Sequence, residues 1–259
     1  MPIKFAPIGS SSHWAGSTWK IASDNELAKL VARVALGQSH YALRVLKETG
    51  FVSSTAAGTT LPGAISLLTA ADPKKPYHRD GWLFQVISWI AANLQDPNGL
   101  IMEPHMIHAH KGFDGVHVRM SKTKGTVDTV VICEEKATKN ARQMVRDRIW
   151  PEFETMEKGD SDHRLLSEIL VILKTRPDLD PDKAIEQLVW KNTRAYRVAI
   201  TIKDGSDSDE LFEGYEKVIA GNVGRRRGEV LPLKEMRAWM QSMATKAIEH
   251  AKKLAAANV

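Results

Sequence analysis

Apolar residues recur at helical spacing over most of the chain. Leu27, Leu30, Val31 and Val34 follow the i, i+3, i+4, i+7 pattern of an amphipathic helix, and Asp24 is predicted to cap it. By the same criterion, further helices are predicted over residues 39–49, 61–71, 81–95, 140–153, 163–174, 181–192, 209–220 and 232–257. The helix over 81–95 is apolar nearly all round, so we expect it to be central and buried.

Strand patterns occupy shorter stretches. Residues 113–120 alternate in side-chain type and residues 127–135 are rich in β-branched residues. A polar, glycine-bearing turn at 121–125 joins the two, so they are predicted to form a hairpin. Residues 195–202 predict a further strand. The opening stretch 2–19 is rich in Ser, Gly and Trp, and is predicted to be a loop or an edge strand.

The order of these elements is helices, a hairpin, helices, a strand and helices again. Such an order predicts an α/β fold with a mixed β-sheet flanked by helices. We expect three segments: an N-terminal helical region (1–76) packed on the core, a central core (77–203) and a C-terminal helical extension (204–259). A chain of 259 residues can bury such a core without disulfides or structural metals.

Composition and charge narrow the class of protein. A net charge of +5 and a pI near 9.2 are compatible with a polyanionic partner such as nucleic acid. Cys133 is the only cysteine, which excludes an internal disulfide and a cysteine zinc cage and fits a reducing compartment. The chain shows no signal-peptide pattern and no apolar run of the ~20 residues that span a bilayer, so a cytoplasmic location without membrane attachment is predicted. No phosphate-loop motif is present, which excludes a helicase or ATPase of that type.

The candidate chemistry lies in the predicted hairpin. Because strand side chains alternate, Glu134 and Lys136 lie on one face while Cys133 and Glu135 point to the other. Asp114, at the near end of the partner strand, would bring a second carboxylate beside Glu134. Two adjacent carboxylates repel each other, and a bound divalent cation relieves that repulsion. The pattern therefore predicts a site for Mg²⁺ or Mn²⁺ with Lys136 beside it, acting as a base or as a fixed cation.

The hairpin has a helix on either side and carries an aspartate that is followed, after about twenty residues, by Glu-x-Lys. This pattern resembles the PD-(D/E)XK restriction-endonuclease-like superfamily. The resemblance covers roughly residues 81–153 and implies that Asp114, Glu134 and Lys136 are catalytic in a restriction-endonuclease-like core, with Asp114 and Glu134 as metal ligands. It also implies an accessory polar residue on the preceding helix, for which Asp80 and Gln85 are the candidates. Phe113 stands where the superfamily has a proline.

A narrower resemblance depends on three features: the sequence Gly-Phe-Asp-Gly-Val-His at 112–117, the Glu-x-Lys strand and a later strand at 196–202. Together they are similar to the nuclease subunit of Hachiman-type anti-phage systems. That resemblance implies a DNA-cutting effector that works beside a helicase partner.

Cations flank the predicted site. Lys139, Arg142 and Arg146 fall at i, i+3 and i+7 on the helix after the hairpin, where they form one basic face that could hold a phosphate backbone or be an ordinary solvated surface. A loop rich in glycine and arginine is predicted to end at Gly228 and contains Arg225 to Arg227. These arginines could form a mobile phosphate clamp, or the segment could be an exposed loop.

Two other functions are compatible with the sequence. The chain could be a nucleic-acid-binding or regulatory subunit with a degenerate nuclease core. A histidine-metal hydrolase centred on His108 and His110 is a further hypothesis, because a His-x-His pair can bind zinc or manganese.

A protein partner is also expected. It would dock on the acidic helix at 209–216 or on the closing helix, along a stripe formed by Met236, Trp239, Met240 and Met243. Such a stripe is more often core than interface.

Overall fold

A single seven-stranded sheet organises the molecule. The computed structural model describes residues 1–9, 12–40, 42, 57–109, 112–121, 127–174 and 193–257. The strands are β1 (Ile3–Ile8), β2 (Ala15–Ile21), β3 (Leu100–Ile101), β4 (Gly115–Met120), β5 (Val127–Lys136), β6 (Arg194–Lys203) and β7 (Arg226–Leu233). Across the sheet they follow the order β1-β2-β7-β6-β5-β4-β3.

The sheet is mixed, as predicted. β2, β7, β6 and β5 run parallel to one another, whereas β1 pairs antiparallel with β2 at one edge. β5, β4 and β3 pair antiparallel toward the other edge, which confirms the predicted pairing of the two strands that carry the candidate site. The four parallel strands therefore all end at the same edge of the sheet.

Helices cover both faces of the sheet. They are α1 (Asp24–Ala35), α2 (Ala57–Leu68), α3 (Tyr77–Gln95), α4 (Ala141–Met144), α5 (Trp150–Lys158), α6 (Asp162–Leu173), α7 (Ser208–Leu211), α8 (Tyr215–Val218) and α9 (Met236–Ala256). A π-helical segment, Val145–Ile149, joins α4 to α5 without a break. The predicted architecture of a mixed sheet between helices is confirmed.

The apolar residues form two large clusters, one on each face. On the first face, α1, α2, α3 and α9 pack together against Trp19, Ala199 and Leu231 of the sheet. On the second face, α5, α6, α7 and α8 pack against residues that include Val130 and Ile132. As predicted, α3 is buried along most of its length.

The N-terminal third differs from the prediction in three respects. The opening stretch forms the predicted edge strand, β1, and a second strand, β2, that was not predicted. Ser23, not Asp24, caps α1, because its hydroxyl accepts a hydrogen bond from the backbone N–H of Glu26. α3 begins four residues earlier than predicted, after Pro76, which places Asp80 inside the helix and not at its cap.

The C-terminal third differs more. The predicted helix at 209–220 is two short helices, because Gly214 adopts a left-handed φ of +85° between them. The predicted glycine and arginine loop is largely β7, a strand in the interior of the sheet. α9 consequently begins at Met236 and not near residue 232.

Several predicted features lie outside the described residues. These are most of the helix at 39–49, most of the turn at 121–125, the helix at 181–192 and His110. The division into three segments stays a prediction. Within the described ranges, no helix is both long and apolar enough to cross a membrane.

Candidate active site

The pairing of β4 with β5 positions the candidate residues. Gly115, the first residue of β4, lies opposite Cys133, so Asp114, just before the start of β4, lies beside the Glu-x-Lys end of β5. A Cβ atom at Gly115 would lie 3.3 Å from the Cβ of Cys133, a closer approach than most side chains allow. The absence of a side chain at Gly115 thus keeps the two strands close where the site is formed.

The structure brings Asp114, Glu134 and Lys136 together. The ammonium of Lys136 donates to Asp114 Oδ2 at 2.5 Å and lies 2.6 Å from Glu134 Oε2. Sharing one ammonium holds these two carboxylate oxygens within about 5 Å of each other, inside the reach of one cation and its first ligands. The two carboxylates could therefore bind a single divalent ion.

Glu134 is a buried carboxylate that lies near a second carboxylate, that of Asp114. Its side chain is only 2% exposed, and the Lys136 ammonium at 2.6 Å is the one partner that Oε2 has among the described residues. Burial, and next the charge of Asp114, raise the pKa of Glu134 well above its ordinary value, although Lys136 opposes the shift. Two carboxylates that share a single ammonium fit a hard divalent cation, which takes oxygen ligands.

Lys136 is held as a cation. Burial disfavours its charge, but Glu134 and Asp114 outweigh burial and raise the pKa of Lys136 above its ordinary value. A lysine with a raised pKa is a poor general base at neutral pH and a good fixed positive charge. The arrangement therefore favours the fixed-cation role over that of a base.

Glu135 faces the opposite side of the sheet, as strand alternation predicts. Its carboxylate accepts hydrogen bonds from the Ser88 hydroxyl at 2.6 Å and from Arg197 Nη1 at 3.1 Å. Arg197 in turn donates to Glu229 at 2.7 Å, and all three charged residues are buried. The backbone N–H of Glu135 donates to Asp114 Oδ2 at 2.9 Å, so this buried network is coupled through β5 to the site.

Sequence reasoning missed Ser88, Arg197 and Glu229. Arg197 lies in a strand whose apolar neighbours mark it as core, and no local pattern pairs it with residues tens of positions away. The parallel alignment of β5, β6 and β7 brings Arg197 and Glu229 together with Glu135, and α3 contributes Ser88.

Of the two accessory candidates, the structure brings Gln85 and not Asp80 to the site. Gln85 Nε2 donates to Asp114 Oδ1 at 2.8 Å. Asp80 instead pairs with Arg79 at 2.6 Å and with Arg237, and thereby ties α3 to α9. Asp80 is thus a structural ion-pair residue in this fold.

The predicted basic face after the hairpin is not continuous. Arg142 donates to the backbone oxygens of Leu211 and Glu213, and Arg146 pairs with Asp147 at 2.7 Å. The π-helical segment changes the number of residues per turn after Met144, so the i+7 position no longer lies below the i position. Lys139, before α4, is exposed and forms no ion pair with any described residue.

The predicted clamp of three arginines is wrong in both of its forms. Arg225 donates to the backbone oxygen of Arg194 and to Glu157, and Arg226 is buried against backbone oxygens that include that of Ile219. Arg227 pairs with Glu229. These side chains stabilise β7 and the loops before it, so they are not a mobile or exposed segment.

The histidines do not assemble a metal centre in the described part of the chain. His108 Nε2 contacts the backbone oxygen of Leu67 at 2.9 Å, and His117 is buried beside Cys133 with its pKa lowered by burial. Cys133 is buried and free, which confirms it as a core residue. Among the described residues, no group of three or more His, Cys, Asp or Glu could hold a metal ion.

Comparison with known proteins adds no family assignment. No protein-family model matches the chain, and no curated protein matches it. Any functional conclusion therefore rests on the residues and on the geometry given above.

Proposed function

We propose that the protein is a metal-dependent nuclease that cleaves phosphodiester bonds with Asp114, Glu134 and Lys136. One observation carries the proposal: two carboxylates, Asp114 and the buried Glu134, share one lysine at a strand end, so a single positive charge faces two acidic groups. Burying such a group is costly unless a ligand completes it. Mg²⁺ is the expected cofactor, with Mn²⁺ as a substitute, since both prefer oxygen ligands.

Each residue would have a separate role. Asp114 and Glu134 would hold the cation, which when bound polarises the scissile phosphate and lowers the pKa of a water molecule. Gln85 and the backbone N–H of Glu135 orient Asp114 by hydrogen bonds to its two oxygens. The Lys136 ammonium, partly exposed and charged, would stabilise the negative charge that develops on the phosphate.

The substrate we propose is DNA. The resemblance to the nuclease subunit of Hachiman-type systems extends the proposal to a cytoplasmic effector of anti-phage defence, restrained by a protein partner such as a helicase. The mild positive net charge is consistent with a nucleic acid substrate.

The test compares Glu134→Gln with a matched control on the same strand, Asp128→Asn, an exposed carboxylate at the far end of β5. Purified variants are incubated with supercoiled plasmid, linear DNA and RNA in Mg²⁺, Mn²⁺ or EDTA. We expect Glu134→Gln to lower the cleavage rate at least about a hundredfold. The control should retain the wild-type rate, and both variants should keep a cooperative thermal transition.

Equal cleavage by Glu134→Gln and the wild type would refute the site. Cleavage that persists in EDTA would refute the dependence on a metal. Cleavage of RNA but not of DNA would overturn the proposed substrate and leave the site intact.

One observation favours a second candidate, a nucleic-acid-binding or regulatory subunit without cleavage activity. Lys136 already pairs with both carboxylates, and the described residues offer no third metal-ligating side chain. Calorimetric titration with Mn²⁺ distinguishes the two candidates. Binding that Glu134→Gln abolishes supports the nuclease, whereas the absence of binding, together with retained affinity for DNA, supports the regulatory subunit.

A further inference from the structure

A second cleft opens at the edge of the sheet where the parallel strands end. Its volume is about 620 Å³, and it lies between β1, β2 and β7 on one side and the start of α9 on the other. Its lining includes two lysines, two aspartates and an indole, namely Lys4, Lys20, Asp24, Asp204 and Trp239. We call it the edge cleft.

The edge cleft and the candidate active site share one edge of the sheet. β5, β6, β7 and β2 are parallel, so Lys136 at the end of β5 and Ile21 at the end of β2 lie along the same edge. β5 and β2 are three strand spacings apart, which corresponds to ~14 Å. An extended nucleic acid strand of a few nucleotides could contact both places.

The two lysines of the edge cleft are like charges on neighbouring strands. Lys4 and Lys20 lie directly opposite each other in the antiparallel register of β1 and β2, and both are exposed. Like charges in directly opposed positions destabilise a strand pair. Neither ammonium forms an ion pair or hydrogen bond with a residue in the described ranges. An anionic ligand would relieve this repulsion.

The carboxylates in the edge cleft do not neutralise the lysine pair. Asp24 is already engaged, since it accepts from Lys246 at 2.9 Å and from the Trp239 indole N–H at 3.3 Å. Asp204 is exposed beside Lys203, the last residue of β6, which is itself an exposed lysine on the same edge. Lys4, Lys20 and Lys203 are therefore three exposed lysines along this edge of the sheet.

We propose that the edge cleft binds the phosphate backbone of a nucleic acid strand whose scissile bond lies at the candidate active site. This inference rests on the proposed function and names where the strand runs. Lys4 and Lys20 contact phosphates, Lys203 lies between them and Lys136, and the partly exposed Trp239 offers a surface on which a base can stack.

Lysines on an edge strand also have a simpler role. β1 is the outer strand of the sheet, and charged residues on such strands prevent pairing with another chain. Under that explanation Lys4 on β1 prevents pairing with another chain, and neither Lys4 nor Lys20 binds a ligand. The two explanations differ in what happens to strand affinity when the lysines are neutralised.

The test uses the full chain and a fluorescent 20-nucleotide single strand of DNA, with binding followed by anisotropy in EDTA to prevent cleavage. The double variant Lys4→Gln/Lys20→Gln is compared with Lys158→Gln/Lys217→Gln. The control lysines are exposed and lie near the opposite edge, because their neighbours Glu157 and Ile219 bond to residues at the starts of β6 and β7. Both variants remove the same charge.

We expect the edge-cleft variant to bind the strand at least about tenfold more weakly at 50 mM salt, and its logarithmic salt dependence to become shallower by about 1.4. The control variant should stay within about twofold of the wild type at that salt. Equal affinities of the two variants would overturn the proposal, and aggregation of the edge-cleft variant with unchanged affinity would assign the lysines to edge protection.

A free nucleotide carries phosphate groups like those of a nucleic acid strand and is the other ligand that the edge cleft could bind. If ATP binds in a way that depends on Lys4 and Lys20 while the strand does not, the cleft is a nucleotide site and the proposed strand path is wrong.

Failure of the proposed function is distinguishable from failure of the proposed strand path. A wild-type protein that does not cleave but shows the lysine-dependent strand binding refutes the nuclease and keeps the cleft, whereas cleavage with lysine-independent binding refutes only the cleft.

Discussion

Three consecutive residues of β5 carry charges, and each is compensated differently. Glu134 and Lys136 face one side of the sheet and pair with each other, while Glu135 faces the other side and pairs with Arg197. Two adjacent carboxylates are therefore buried on opposite faces, each with its own cation. Breaking either pair leaves a buried charge without compensation, which costs about 3–5 kcal/mol when both partners are fully buried.

The pKa of Glu135 leads to a prediction about stability. Burial raises this pKa to about 7, with Arg197 and Ser88 opposing the shift. Because the folded-state pKa lies above the unfolded value, the stabilising contribution is present below about pH 4.5 and is lost as the pH rises through about 7. In EDTA, Glu135→Gln should therefore be more favourable relative to the wild type at pH 8 than at pH 5, by about 2–3 kcal/mol.

Urea unfolding of both proteins at the two pH values measures this difference. Glu154→Gln, which removes an exposed carboxylate on α5, is the control and should show no comparable change with pH. A wild-type-to-variant difference that is the same at pH 5 and pH 8 would contradict the raised pKa.

Strand alternation and spacing were sufficient to predict that Asp114, Glu134 and Lys136 come together, since both depend only on local structure. The choice between Asp80 and Gln85 could not be made from sequence. Residues five apart on a helix point in different directions, and α3 is apolar nearly all round, so its pattern does not show which side meets the hairpin. The contact between α3 and β5 decides it.

At the scale of elements, the unpredicted strand β7 has a clear physical cause. A central strand normally appears as an apolar run, but β7 begins with two arginines, a glycine and a glutamate. These charges are tolerated because Arg226 donates to backbone oxygens and Glu229 pairs with Arg197 and Arg227, contacts that a sequence pattern does not reveal. The strands β4 and β6 were predictable because they alternate in side-chain type, and β5 because it is rich in β-branched residues.

The pairing of β2 with β7 requires a close approach that can be tested. A Cβ atom at Gly16 would lie 1.5 Å from the backbone oxygen of Gly228, which a rigid neighbouring strand cannot accommodate. We expect Gly16→Ala to lower the free energy of unfolding by about 3 kcal/mol or more. Chemical denaturation measures the loss.

Gly63→Ala is the matched control for this substitution. Gly63 lies in α2, and a Cβ atom added there would meet no other atom within 4 Å, so alanine should be neutral or stabilise the protein by up to about 1 kcal/mol. Equal stability of Gly16→Ala and the wild type would show that β2 and β7 do not pair in this register.

At the scale of the whole molecule, strands from the N-terminal and C-terminal parts of the chain pair with each other in the sheet. β7 and α9 come from the C-terminal segment, yet β7 lies between β2 and β6 and α9 packs on α1 and α2. The methionines 236, 240 and 243, predicted as part of a docking stripe, are buried in this packing and do not form an exposed surface. These three methionines are therefore core residues.

This arrangement predicts that residues 204–259 are required for folding. A fragment comprising residues 1–203 lacks the strand that joins β2 to β6 and the helix that completes one apolar cluster. We expect the fragment to show no cooperative thermal transition and to aggregate, because the edge of β6 and much apolar surface are left uncovered. Circular dichroism and size-exclusion chromatography measure both properties. Co-expression with a 204–259 peptide should restore a soluble complex, since β7 can pair with β2 and β6 in trans. A 1–203 fragment that unfolds cooperatively on its own would instead support the three-segment division, in which the C-terminal part is an extension.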